Sequence, residues 1–530
     1  MQKKIFIKIL VGIVILMLLI IFLATIFVKP WLGEKIRAEL NKENRNYIVE
    51  IDKIHILVIK PGIELEGITI HSKQEHGGDR NLEGEIASVK FKGIKLAKAI
   101  IKHEIYIGEV TISNSSFRGK NPFSGEAIPP VISPLNIRIG RILFDRTDLV
   151  MENSSTALSY SVKEGVLRVY DLQIEKQDTL SPVTVKHFDF EAGELVSVSS
   201  DNMYSYIIRG IIYSATSNTL AIDSLYIHPN YTDYDFTSRY KFQTSRIEGG
   251  FSNIYVHNFN PESYFISRSF VTSYIEIGKM DLKAFRDKRK EFRHVDKPEF
   301  QNMIYNYPGT IRIDSIGLIN GNVTYTAHAE EANEPGSISF NEINAKIYKI
   351  TNDTIYKTKS AFLELKGDAL LMGKGKMTIL LKGRIFDSHN TFSLNGTLSD
   401  LEANELNPIL EKNAFVYATS GKIDAMNFSF TANSTKATGK MTMLYHGLDI
   451  AVKNKRTDDT TAFRERFISL FANRRVLGSN PVPGEEVREG IIDYERDSER
   501  FLFDYCFKSI LTGIKSSLVK SPKKRKNSVN

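Results

Sequence analysis

Beyond residue 46, apolar and polar residues alternate with a period of two along most of the chain. Ile63–Ile70 alternates around one glycine, and Ile137–Ile139 and Met441–Tyr445 show the same pattern. Because successive side chains of a strand point to opposite faces, this alternation predicts strands with one apolar face. Helical patterns are few and lie near 94–102, 281–293, 461–474 and 499–519. Strands that follow strands without intervening helices favour antiparallel pairing, so the sequence predicts a mainly β fold built on antiparallel sheet.

A degenerate repeat runs through these strands. Each copy is an alternating run, then Gly or Asp, then apolar residues in the opposite phase. The copies are Val49–Ile54, Ile105–Val110, Ile137–Ile142, Leu220–Leu225, Tyr274–Met280 and Ile311–Ile316. A one-residue change of phase indicates a bulge or a tight bend. Since Gly and Asp exchange at this position, the aspartates suit a bend and are not predicted to bind a metal.

One segment breaks the period-two pattern: Ile9–Val28 is a run of 20 uncharged, mostly large apolar residues. A helix of this length spans roughly 30 Å, the thickness of the hydrocarbon core of a bilayer. The run lacks a small-x-small cleavage site, so we predict an uncleaved transmembrane helix. The basic residues before it favour a cytoplasmic N-terminus. Trp31 follows where interfacial aromatics gather, and an i, i+4, i+8 apolar stripe over Leu32–Leu40 predicts a short neck helix.

Three stretches suggest boundaries. Asn121–Pro134 contains four prolines and predicts a linker or an excursion. Arg286–Arg293 is densely charged and predicts a solvated helix, and Lys453–Asp459 separates the last strands from a helical tail. The predicted divisions are a cytoplasmic tail 1–8, a transmembrane helix 9–28, a neck and first β region 29–120, a proline-rich linker 121–134, a repetitive β body 135–365, a second β module 366–452 and a helical, basic tail 453–530.

Composition narrows the functional classes. In 530 residues, 70 Lys and Arg face 62 Asp and Glu, and the net charge of +8 is scattered. A nucleic-acid-binding protein would show a focused basic face, so this charge instead favours solubility and attraction to anionic membrane surfaces. Cys506 is the single cysteine, which excludes an internal disulfide and a cysteine zinc site.

Motifs for catalysis are missing from the sequence. The 11 histidines are dispersed, with no HExxH pair, and no GxSxG occurs. Gly367–Lys374 resembles a phosphate loop, but five residues separate its glycines and Gly375 replaces the required hydroxyl residue. We therefore predict no enzyme, no cofactor and no metal site, although scattered carboxylates leave open a glycan hydrolase with a paired-carboxylate cleft.

The C-terminal tail combines a helical pattern with charge. Phe501, Tyr505 and further apolar residues to Leu518 can share one helical face, and the basic run Lys520–Lys526 follows. Such a helix can either cap the last strand of the sheet or lie on an anionic bilayer. The sequence leaves both alternatives open.

Five short motifs carry a family resemblance. They are Gly373–Met377, Phe392–Leu398, Leu406–Leu410, Ser420–Asp424 and Gly439–Leu448. In this order, with the anchor before them and the tail Glu495–Lys515 after them, the chain resembles the AsmA-like envelope proteins in the form common in Bacteroidetes, relatives of the AsmA, TamB and YhdP bridge-like lipid transfer proteins. The largest members are more than twice as long.

The resemblance implies a single-pass protein of the bacterial inner membrane, with an elongated, curled β-sheet body in the periplasm. Its apolar groove would handle or conduct phospholipid or another acyl lipid between envelope membranes and support outer-membrane integrity, with envelope proteins as further partners and no nucleic acid. The groove candidates are Ile379, Leu381, Phe392, Leu394, Phe428, Phe430, Met441 and Met443. The membrane-surface candidates are Trp31, Phe501, Tyr505, Lys523, Lys524, Arg525 and Lys526. The alternative hypothesis is an envelope scaffold in which the same sheet forms a filled core.

Overall fold

The computed structural model describes residues 41, 47–57, 61–72, 81–95, 104–120, 136–153, 158–176, 183–357, 362–452 and 476–519. The predicted transmembrane segment 9–28, the neck helix, the helical pattern at 461–474 and the basic run lie outside these residues. Within the described residues, none of the helices combines the length and the apolar character needed to cross a bilayer. The chain divides into two compact units, Met1–Asn230 and Tyr231–Asn530.

The prediction of a mainly β fold is confirmed. The N-terminal unit contains β1 (Tyr47–Leu57), β2 (Gly62–Ser72), β3 (Asn81–Lys92), β4 (Glu104–Lys120), β5 (Asn136–Asn153), β6 (Leu158–Ile174), β7 (Val183–Val198), β8 (Tyr204–Ser214) and β9 (Thr219–Pro229). Each strand pairs with its neighbours in chain order, and no described pairing joins β1 to β9. The described sheet of this unit is therefore open.

The C-terminal unit repeats this plan and adds helices. Its strands are β10 (Ser245–His257), β11 (Phe270–Asp287), β12 (Ile311–His328), β13 (Gly336–Thr351), β14 (Phe362–Leu371), β15 (Gly375–Arg384), β16 (Phe392–Glu402), β17 (Val416–Ala432), β18 (Lys436–Val452) and β19 (Glu489–Glu495). Its helices are α1 (Asp233–Ser238), α2 (Pro261–Ser267), α3 (Phe300–Tyr305), α4 (Asn407–Asn413) and α5 (Leu502–Leu518), with 3-10 turns at Thr354–Tyr356 and Ala403–Leu406. The helical pattern near 499–519 is thus confirmed as α5.

Two pairings correct the expectation of a wholly antiparallel sheet. β4 pairs with β5, and β11 pairs with β12, in parallel register. A parallel pair needs a connection long enough to return the chain to the starting edge. Between β11 and β12, residues 288–310 form this connection and include α3. A strand-after-strand pattern shows only that hairpins are common.

The predicted helix at 281–293 is wrong. Asp281–Asp287 belongs to β11 and pairs with β10 on one side and β12 on the other. Lys288 onward is irregular up to α3. Pairing on both edges outweighs the helical preference of a charged segment, because local propensity is a weak constraint beside tertiary contacts.

The change of phase in the repeat is confirmed as a local bend. Leu65 and Ile68, three positions apart, are both buried, as are Ile107 and Val110. In β2 the backbone reverses phase at Gly67, which has φ +63°. The bend keeps apolar residues of both halves of a strand on one face, as a bulge does.

Gly67 offers a test of this bend. A Cβ at Gly67 would overlap the carboxylate of Asp52 on β1, whereas a Cβ at Gly447, with the same φ of 63°, would meet no atom within 4 Å. A non-glycine residue with positive φ costs about 1 kcal/mol or more. We expect Gly67→Ala to destabilise β1–β2 by about 1–3 kcal/mol, and matched Gly447→Ala to lose about 1 kcal/mol, measured by hydrogen exchange of the local strands. Equal losses would show that the Asp52 contact is unimportant.

Each unit has one apolar core. In the N-terminal unit, the core lies on β1–β6 and includes Leu65, Phe91 and Ile139, each at most 1% exposed. In the C-terminal unit, it lies between β14–β19 and α5, with α3 and α4 at its margin. The cores position the remaining strands, β7–β9 and β10–β13, whose side chains are mostly only partly buried.

Candidate functional site

The outer face of the sheet carries cross-strand ion pairs. Lys90 Nζ lies 2.9 Å from Glu64, and Arg138 Nε lies 2.7 Å from Asp171. Glu194 pairs with both Lys163, at 3.1 Å, and Arg209, at 3.0 Å. Exposed pairs of this kind add little stability, but they identify the face that meets water.

The opposite face of β7–β9 is apolar and only partly covered. Strand register aligns Leu195 with Ile208 and Ile208 with Leu225, and all three are partly exposed. Tyr206 and Ile227 continue this set, and Tyr206 is 40% exposed. We call these five residues the N-terminal row. The described part of this unit contains no helix, so no described helix of the unit covers the row.

A similar set occurs in the C-terminal unit. Ile275 pairs with Ile316 and Ile277 pairs with Leu318 across the parallel β11–β12 ladder. Ile347 of β13 lies opposite Ile316. These five residues, the C-terminal row, are all partly exposed. α4 packs farther along, beside Gly336, and α5 packs beside Phe340.

The eight groove candidates lie close together in the structure, but their side chains are buried or partly buried. They are Ile379 and Leu381 on β15, Phe392 and Leu394 on β16, Phe428 and Phe430 on β17, and Met441 and Met443 on β18. All except Ile379, which is partly buried, are at most 7% exposed. Tyr505 of α5 packs edge-on against Phe392, with ring centroids 6.0 Å apart, and a Cβ at Gly513 would touch Met441. These side chains therefore form the core beneath α5 and do not line an open surface.

The membrane-surface candidates include a buried residue, an exposed residue and residues outside the described part of the chain. Tyr505 is 3% exposed, and its hydroxyl donates a hydrogen bond to the Asn433 carbonyl at 3.1 Å. The expectation that Tyr505 reaches a membrane surface is therefore wrong, because it lies on the side of α5 that faces the sheet. Phe501 is 52% exposed, and Phe503 and Phe507, which were not among the candidates, are 61% and 49% exposed. Trp31, Lys523, Lys524, Arg525 and Lys526 lie outside the described residues.

Candidate chemistry is sparse in the described residues. Among them, no group of three His, Cys, Asp or Glu side chains could hold a metal ion. Gly367–Lys374 ends β14 and forms the tight turn into β15, with Met372 and Gly373 at positive φ, which is a hairpin and not a phosphate loop. Burial raises the pKa of the Cys506 thiol to about 12, so the thiolate is scarce at neutral pH.

Both rows carry a signal in the sequence, which is the alternation of apolar and polar residues. Leu220–Leu225 and Ile311–Ile316 belong to the degenerate repeat, and their apolar positions contribute to the two rows. The sequence does not show whether a helix covers a given strand, because a strand beneath a helix and a strand open to solvent have the same period of two.

No protein-family model matches the chain, and no curated protein matches it. The resemblance to AsmA-like proteins therefore rests on the sequence motifs.

Proposed function

We propose that the protein is a membrane-anchored, AsmA-like periplasmic protein that handles or conducts phospholipid along an apolar β surface and supports outer-membrane integrity. The observation that carries the proposal is the partly exposed apolar face of β7–β9, opposite a face of ion pairs. Aligned Leu and Ile side chains that stay accessible on a sheet form a contiguous apolar patch, and such patches mark surfaces that bind an apolar ligand or a partner.

Acyl chains suit this surface energetically. Removing a methylene from water is worth about 0.8 kcal/mol, so an acyl chain of about 16 carbons gains up to about 12 kcal/mol when fully covered. A partly covered row gives a fraction of that value. Partial cover is compatible with movement, because a lipid bound too tightly would not leave. No catalytic group is needed for this function.

A second candidate function is an envelope scaffold. The observation that favours it is the filled core at β14–β19, where α5 covers seven groove candidates that are at most 7% exposed. In this function the accessible rows would bind protein partners. The two functions differ in one measurable property, which is whether the isolated protein retains lipid.

The test is lipid retention by the full chain. We expect protein purified in mild detergent to carry copurifying phospholipid, identified by mass spectrometry after solvent extraction, and to take up a fluorescent acyl lipid from donor vesicles. Retention of acyl lipid supports the lipid function. Lipid-free protein that takes up no fluorescent lipid would leave only the scaffold.

A further inference from the structure

One apolar stretch of the C-terminal unit ends at two positively charged side chains. On β11, Leu282, Ala284 and Arg286 alternate onto the same face, and Lys288 follows in phase. Tyr325 of β12 lies opposite Ala284 in the parallel ladder. A molecule lying along this face would pass from apolar side chains to two cations within a few residues.

Gln243 contacts both the side chain of Arg286 and the backbone of Lys288. Arg286 Nε donates a hydrogen bond to Gln243 Oε1 at 3.3 Å, and the Gln243 amide donates to the Lys288 carbonyl at 3.1 Å. The Arg286 guanidinium lies 6.0 Å from the ring centre of Phe292, and Lys288 Nζ lies 6.0 Å from that of Tyr325. The hydrogen bond to Gln243 therefore orients the Arg286 guanidinium before a ligand arrives.

The charge at Lys288 is not balanced by the described residues. Burial, followed by the charge of Arg286, lowers its pKa, and Arg500 and Lys508 act in the same direction. Asp504 acts in the opposite direction. No described carboxylate lies within 4 Å of Lys288 Nζ. Keeping a lysine away from water without a close counter-ion is costly, and Lys288 as a residue is only partly exposed.

Helix α5 borders this site. Phe503 packs edge-on against Phe340 of β13, with centroids 6.4 Å apart. Arg500, just before the helix, stacks on Phe292 at 3.9 Å. Asp504 Oδ2 is buried without a hydrogen bond and lies 3.0 Å from Lys508 Nζ, so this carboxylate forms an ion pair with a different lysine. The apolar stretch, its aromatic border and the excess of cations therefore occur together.

We infer that Arg286 and Lys288 form a binding site for a phosphate group, specifically the phosphate of a phospholipid whose acyl chains lie along the adjoining apolar face. This inference rests on the proposed function and adds a headgroup preference to it. Arg and Lys form charge-assisted hydrogen bonds with phosphate oxygens, and an anion bound beside this apolar face would offset the charge of Lys288, which has no carboxylate within 4 Å.

The experiment uses the full chain and two fluorescent lipids with identical acyl chains, phosphatidylglycerol and diacylglycerol, presented in dodecyl maltoside micelles, which carry no phosphate that could compete for the site. We expect the wild type to bind phosphatidylglycerol about tenfold better, as one charge-assisted contact allows. Lys288→Met and Arg286→Gln should each reduce this preference while leaving diacylglycerol binding unchanged. Lys283→Met, an exposed lysine on the opposite face of the same strand, is the matched control and should keep the preference.

Thermal unfolding separates this role from a structural one. Because Lys288 is desolvated and lacks a carboxylate partner within 4 Å, Lys288→Met should unfold at the same temperature as the wild type or higher. A variant that unfolds earlier and loses both lipids equally would overturn the assignment.

The remaining outcomes are also decisive. Equal binding of the two lipids by the wild type overturns the headgroup site while leaving lipid handling intact, whereas failure to bind either lipid overturns both. Inorganic phosphate is the third probe. Saturable binding of phosphate without a headgroup preference would assign the site to free phosphate and overturn the phospholipid assignment.

Discussion

Ile208→Lys is expected to reduce uptake of fluorescent phospholipid by about a hundredfold. Ile208 is partly exposed and lies between Leu195 and Leu225 in the N-terminal row. A lysine in contact with hydrocarbon costs about 2.5–3.5 kcal/mol, and each 1.4 kcal/mol is a factor of ten in binding. The measurement is the rate and extent of lipid transfer from donor vesicles to the purified full chain.

The same strand supplies the matched control. Ile212 is 50% exposed, and its neighbours Ile211 and Tyr213 are each 7% exposed on the opposite face. Ile212→Lys introduces the same side chain on the same strand but into water, so lipid uptake and stability should not change. If both variants took up lipid normally, the N-terminal row would not be the lipid-binding surface. If both lost uptake, the effect would be one of folding.

Tyr505→Ala is expected to destabilise the C-terminal unit by about 3–5 kcal/mol, the usual loss when a buried aromatic residue is truncated. Tyr505 contacts Phe392 and Tyr494, with centroids 6.0 Å apart in both pairs. Burial raises the pKa of its hydroxyl above the ordinary value. Loss of this ring leaves a cavity between α5 and the sheet, which we expect to weaken helix packing. The measurements are denaturant unfolding and hydrogen exchange across α5.

Phe507→Ala is the control on the same helix. Phe507 is 49% exposed, so its truncation should change the free energy of unfolding by less than about 1 kcal/mol. If Tyr505→Ala proved as mild as this control, the capping role of α5 would be wrong. An increase in lipid uptake by Tyr505→Ala would show that α5 covers a second binding surface at the groove candidates.

The class of fold and its bends were accessible from sequence because they depend on local periodicity. Alternation at Ile63–Ile70 requires one apolar face, and the three-residue step from Leu65 to Ile68 requires a bend if both residues are to be buried. α5 was likewise predictable, since its apolar residues recur at helical spacing. These properties follow from the direction in which successive side chains point, which neighbouring residues alone determine.

The sequence did not predict the direction in which strands pair or which strands a helix covers, because both depend on residues far apart in the chain. The parallel pairing of β11 with β12 depends on how residues 288–310 return the chain, and the strand assignment of Asp281–Asp287 depends on partners on two sides. The groove candidates and the N-terminal row show the same alternation of apolar residues, yet the groove candidates are buried beneath α5. Local pattern thus established an amphipathic sheet, and long-range packing established which part of its apolar face stays accessible.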